Sequence, residues 1–151
     1  MIVGLTSGTF DLFHHSHLIY LERCKALCDR LLVGVDSDNL ASATKGDLRP
    51  IYSQLHRLNM LNSLTVVDMA FILSRVEDLT KIAKDFNVTK VFKCGSFDDN
   101  KKGRVYGTET AELVILNDVP GMISTTAVIE AIKDGQTRLG PLPVTGYPIG
   151  G

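Results

Sequence analysis

Short apolar runs alternate with helical periodicities along this 151-residue chain. That alternation predicts an α/β fold, a Rossmann-like doubly wound parallel sheet of about five strands. Two features support it. A strand, a helix and a second strand fill roughly the first 35 residues, a βαβ unit that demands parallel pairing and a right-handed crossover. The strand-like runs are also largely apolar, as strands covered on both faces are.

The elements follow in order. Ile2-Val3-Gly4-Leu5-Thr6 reads as a buried strand. Leu18, Leu21, Lys25 and Cys28 recur at helical spacing, so a helix is expected from His15 to about Asp29. Arg30 to Asp36 is a second strand, and residues 37–50 read as a polar loop. Tyr52 to Leu64 reads as a helix with Leu55, Leu58 and Leu61 on one face. A strand from Val66 to Leu73 and a helix from Val76 to Phe86 come next, then strands at Lys90 to Cys94 and Leu113 to Leu116. A last helix, Thr125 to Lys133, is expected to bury Val128, Ile129 and Ile132. One domain over residues 1–134 is therefore predicted, followed by a Gly/Pro-rich tail, 135–151, expected to be extended or disordered.

Composition narrows the function. With 44% hydrophobic residues the chain can bury a sizeable core. A formal net charge of −1 and the absence of a long basic run argue against nucleic acid as the partner. Three cysteines, an odd number, do not form a disulfide framework. No apolar stretch approaches the ~20 residues needed to cross a bilayer, and no charged leader precedes the first strand. A cytoplasmic protein without a membrane partner is expected.

The chemistry concentrates in Gly8-Thr9-Phe10-Asp11-Leu12-Phe13-His14-His15-Ser16-His17. This segment leaves the first strand and opens the first helix, where doubly wound sheets bind ligands. His14 and His17 fall three apart, on one helical face, beside backbone N–H groups at a helix start. Such donors suit a triphosphate whose α-phosphorus is attacked, since negative charge grows toward the leaving pyrophosphate. Gly8 lets the main chain come close, and Thr9 and Phe10 offer further N–H groups. A zinc site from these histidines with Cys24 or Cys28 is a poor fit. The cysteines lie roughly 10–16 Å further along the helix. Asp36 ends the second strand at the ligand edge, where it suits ribose or acceptor hydroxyls.

That segment, continuing through Leu21-Glu22-Arg23-Cys24 to Val33-Gly34-Val35-Asp36, resembles the cytidylyltransferase-like nucleotidyltransferases. The pattern is nearest the small glycerol-3-phosphate cytidylyltransferases. Lys45-Gly46 with Arg49-Pro50-Ile51, and the helix carrying Arg57, are similar to that family's lysine loop and basic helix. Ile123-Ser124-Thr125-Thr126 is similar to the end of its second signature. The resemblance implies transfer of a nucleotidyl group, CTP favoured, to a small phosphorylated acceptor such as glycerol 3-phosphate. An adenylyltransferase using ATP on a sugar phosphate or cofactor precursor, and a catalytically dead nucleotide-binding homologue, are the alternatives. It further implies that His14, His17 and Lys45 act on the phosphates, that Ser124 and Thr125 hold the β- and γ-phosphates, and that Asp11 and Arg57 serve the acceptor. Magnesium would travel with the triphosphate, and relatives of this kind form homodimers.

Three positions depart from that family's pattern. Ser16 stands where the histidine signature carries glycine, against the nucleotide. Val119 stands four residues before Ile123, where the second signature carries arginine; Lys101, Lys102 or Arg104 are the nearby basic substitutes. Gly95-Ser96-Phe97-Asp98-Asp99 stands where the family carries glycine, two acidic residues and an aromatic, a loop that helps to recognise the base.

Overall fold

The computed structural model describes residues 1–95 and 104–139. Ser96 to Asp99, Lys101, Lys102 and the tail beyond residue 139 lie outside these described residues. Within them five parallel strands form one sheet: β1 (Val3–Gly8), β2 (Arg30–Asp36), β3 (Met69–Leu73), β4 (Lys90–Cys94) and β5 (Glu112–Leu116). Their order is β3-β2-β1-β4-β5. Five helices accompany them: α1 (His15–Ala26), α2 (Asp38–Lys45), α3 (Gln54–Asn62), α4 (Asp78–Asp85) and α5 (Thr125–Lys133). This is the α/β architecture expected from the sequence.

Register sorts the strand residues between two cores. Leu31, Val33 and Val35 of β2 face a cluster with Leu21 and Cys24 of α1, Leu61 of α3 and Phe92 of β4. Leu32 faces the opposite cluster, with Val3, Leu5, Val91 and Leu79 and Ala83 of α4. The period of two thus covers both faces of the sheet. The order reverses between β2-β1 and β1-β4, so a crevice opens beyond the carboxyl ends of β1 and β4, at Gly8 and Gly95.

Several expectations are corrected. Residues 38–45 are helix, not loop. Ser37 caps it, its Oγ accepting from the Leu40 N–H at 3.2 Å. The same Ser-Asp-Asn string that reads as a turn also reads as a helix start. In α3, Leu55 is exposed, and Arg57 and Leu61 are the buried residues. In α5, Ile132 is exposed and Ala131 is buried. α1 ends at Ala26, before Cys28.

β1 passes close beneath its neighbours. A Cβ on Gly4 would lie 2.5 Å from the Phe92 ring and 2.9 Å from the Cys28 sulfur. Gly4→Ala is therefore expected to cost about 1–3 kcal/mol by overpacking. Urea denaturation checks it; an unchanged midpoint would show that the sheet shifts freely there.

Candidate active site

Beyond Gly8 the chain turns back on itself in few residues. Phe10 (φ 52°) and Leu12 (φ 48°) both adopt the left-handed region, at a cost of roughly 1–2 kcal/mol each for side chains of this kind. Burial of the Phe10 ring in the core holds one side of the turn. Asp11 holds the other. Its carboxylate accepts from the backbone N–H of Leu12 at 3.0 Å, Ile51 at 2.6 Å and Tyr52 at 2.9 Å. Asp11 is 1% exposed, so all three bonds form away from water.

The turn delivers His14 to the N-cap of α1 and His17 to its first turn. Their rings stack, with centroids 3.8 Å apart and planes 17° from parallel. Phe10 meets His17 edge-on at 5.6 Å, and Phe13 lies 5.3 Å from it. The His14 backbone N–H donates to His17 Nδ1 at 3.3 Å. The His17 proton therefore sits on Nε2. Thr125 Oγ1 lies 3.4 Å from His14 Nε2 and 3.5 Å from His17 Nε2. The same hydroxyl donates to the Asp11 carbonyl at 3.3 Å, so it meets the imidazoles as an acceptor. Two Nε2–H groups thus converge at the start of α5.

Burial sets their charge. It lowers His17 to about 3, helped by the neighbouring His14, and it lowers His14 as well. Both rings are neutral donors at neutral pH. The arrangement offers an anion directed N–H groups rather than fixed positive charge.

The remaining predicted residues surround this point. Ser124 caps α5, accepting from the Ala127 N–H at 3.1 Å. Thr9 Oγ1 donates to Asp36 at 3.2 Å. Burial raises the Asp36 carboxyl, while Thr9, Arg57, Lys93 and Lys45 oppose that rise. Lys45, exposed at the end of α2, is thus electrostatically within reach of Asp36. Arg57 is 1% exposed and donates to the carbonyls of Tyr52 (2.9 Å) and Thr9 (2.7 Å) and to Asp38 (2.9 Å). It fastens α3 to the turn after β1, and it also lines a cavity of about 180 Å³ with Phe10, Tyr52 and His56. A Cβ on Gly95 would stand 3.0 Å from the Asn117 Cα, so this glycine is required for the close passage of two chain segments.

The departures from the family pattern have physical accounts. Ser16, 4% exposed, does not lie open to the crevice; its Oγ accepts from the Ile123 N–H at 2.8 Å. It ties α1 to the residue that precedes the Ser124-Thr125 helix start. Val119 is 3% exposed and apolar. Arg104 pairs with Glu109 and lies over the Tyr106 ring. Arg49 was not among the expected site residues, yet one guanidinium NH lies 3.4 Å from Thr126 Oγ1. The only sequence signal for it is its place in Arg49-Pro50-Ile51.

The parallel-sheet crevice thus sets paired imidazoles on one helix start against a Ser-Thr cap on another. The chain belongs to the cytidylyltransferase-like family, whose model matches residues 5–131. It is 35% identical over 139 residues to the bifunctional protein HldE of Hyphomonas neptunium, covering 89% of this chain and 28% of that protein. It is 38% identical over 131 residues to HldE of Helicobacter pylori strain P12, covering 87% and 28%. The chain thus spans little more than a quarter of the length of these curated relatives. The crystal structure of the lipopolysaccharide core biosynthesis protein from Thermoplasma volcanium GSS1 superposes with a TM-score of 0.62 at 27% identity, covering 79% of this chain and 97% of that one. Among the described residues no helix is long and apolar enough to cross a membrane.

Two outcomes are expected. His17 titrates near 6.5 when unfolded and near 3 when folded, so between these values the unfolded chain holds the extra proton. Stability from this group is complete above about pH 6.5 and falls as pH drops toward 3. At pH 5 the loss is about 2 kcal/mol. Urea unfolding at pH 7.5 and 5.0 checks this against His17→Gln, which should lose less on acidification. Ser16→Ala should cost about 1–2 kcal/mol through the stranded Ile123 N–H and speed amide exchange at Ile123. Unchanged exchange there would refute the tie.

Proposed function

We propose that this chain transfers an adenylyl group from ATP to a sugar phosphate, releasing pyrophosphate. The observation that carries the reading is the convergence of His14 Nε2 and His17 Nε2 on Thr125 at the start of α5. The similarity to HldE proteins and to a lipopolysaccharide core biosynthesis protein favours ATP and a sugar phosphate over CTP and glycerol phosphate. A heptose phosphate is the acceptor expected to react.

In this reading an oxygen of the acceptor phosphate attacks the α-phosphorus. The new P–O bond forms as the bond to the β-phosphate oxygen breaks, and the electron pair leaves with pyrophosphate. The substrate is taken as the magnesium complex of ATP, the ion belonging to the nucleotide. The imidazole N–H groups and the α5 helix start stabilise charge gathering on the bridging and β-phosphate oxygens. Lys45 adds a mobile cation. Asp36 faces acceptor hydroxyls, while Asp11 and Arg57 act by holding the loops that line the site.

Pyrophosphate release with ATP and CTP, each offered a heptose phosphate and glycerol 3-phosphate, tests the proposal. ATP with the heptose phosphate should turn over. Preference for CTP would overturn the adenylyl assignment, and nucleotide binding without turnover by any pair would mark a binding protein. His17→Ala should lower kcat/KM at least 100-fold, the loss of roughly 3 kcal/mol typical for a donor to a developing anion. A loss under tenfold would place this ring away from the reacting phosphate.

A further inference from the structure

The cations around the crevice are unequally engaged. Arg57 spends its guanidinium on Thr9, Tyr52 and Asp38. Arg104 is paired with Glu109. Arg49 differs from both. Among the described residues its guanidinium makes one side-chain hydrogen bond, a long one of 3.4 Å to Thr126 Oγ1, and no carboxylate pairs with it. Its Nε is buried without a partner. A guanidinium carries five donors in a planar fork; here the buried Nε lacks a partner, while the exposed end of the fork is open to a ligand.

The segment that carries Arg49 is held from several sides. Its backbone N–H donates to the Gly46 carbonyl at 3.0 Å, and its own carbonyl accepts from Ser42 Oγ at 2.6 Å. Two residues on, the Ile51 and Tyr52 N–H groups are fixed by Asp11. The backbone of this arginine is therefore set before any ligand arrives. The side chain ends at Thr126, the residue after the one that faces both imidazoles. Ser124 takes up the Ala127 N–H, and the earlier N–H groups of α5 have no intrahelical carbonyl to bond. Imidazole N–H groups and a guanidinium thus reach adjacent residues of one helix start, which adds its own N–H groups. That donor set matches phosphoryl oxygens. Val119, buried and apolar, supplies no cation to the same helix start.

We infer that Arg49 is a phosphate-binding residue of this site, gripping phosphoryl oxygens that lie on the start of α5 beside His14 and His17. The inference rests on the nucleotidyltransferase reading above and adds to it a cation, from the loop between α2 and α3, that faces the triphosphate or the acceptor phosphate.

Equilibrium binding of the full chain to ATP, inorganic tripolyphosphate, adenosine and glycerol 3-phosphate, at two salt concentrations, tests it. Arg49→Met should weaken ATP and tripolyphosphate at least tenfold, leave adenosine within twofold and flatten the salt dependence. Arg49→Lys should recover part of the loss. If glycerol 3-phosphate is the probe that weakens while tripolyphosphate does not, the guanidinium serves the acceptor phosphate, which also supports the inference. Unchanged binding of both phosphate probes would overturn it. So would equal weakening of adenosine, because that signals a disturbed fold, and an unfolding midpoint near that of the parent chain checks the same point. A parent chain that binds neither ATP nor tripolyphosphate would instead overturn the underlying functional reading.

Discussion

The candidate site depends on Asp11. Its carboxylate gathers the N–H groups of Leu12, Ile51 and Tyr52, and its carbonyl receives the Thr125 hydroxyl. One residue thereby joins three segments that are far apart in sequence: the turn after β1, the loop before α3 and the start of α5. A buried carboxylate that accepts three backbone donors has its oxygens satisfied by the main chain alone. Removing it would strand two N–H groups from one loop and release the other loop that forms the opposite wall. Arg57 repeats the logic with opposite chemistry, donating to the carbonyls of the same two loops.

These clamps give the paired imidazoles fixed positions at the expense of local backbone comfort. Phe10 and Leu12 hold left-handed conformations that neither residue prefers. The strain is balanced by Phe10 in the core and by Asp11 across the gap. Ser16 extends the same scheme. Where the wider family places glycine, the hydroxyl here joins α1 to Ile123, so the starts of α1 and α5 are tied directly.

Much of this was legible in the sequence, and the limits have physical causes. Strand runs such as Arg30–Asp36 and Lys90–Cys94 declared themselves because burial on both faces leaves no polar alternation. His14 and His17 were legible because a three-residue spacing fixes their shared face. The helix at Asp38–Lys45 was not, since Ser, Asp and Asn serve turns and caps alike and only Leu40, Ala41 and Ala43 of its eight residues are apolar. Leu55 was assigned inward on spacing alone, yet the face that carries Arg57 is the one turned to the core. Arg49 gave no signal beyond its place in Arg49-Pro50-Ile51, and the long-range partners of Asp11 and Ser16 could not be read at all. Their contacts cross 40 to 114 residues of chain, and local pattern holds no record of such pairings.

The strand order also bears on how the molecule comes into being. β1, made first, lies at the middle of the sheet, with β2 along one side and β4 along the other. Its second side meets Lys90 and Val91, so during synthesis that side stays bare until β4 has left the ribosome. A nascent βαβ half with an open strand border is prone to pair with another chain. Slow translation or chaperone cover before β4 emerges would guard that border, and the functional crevice, which opens along it, cannot take shape any earlier.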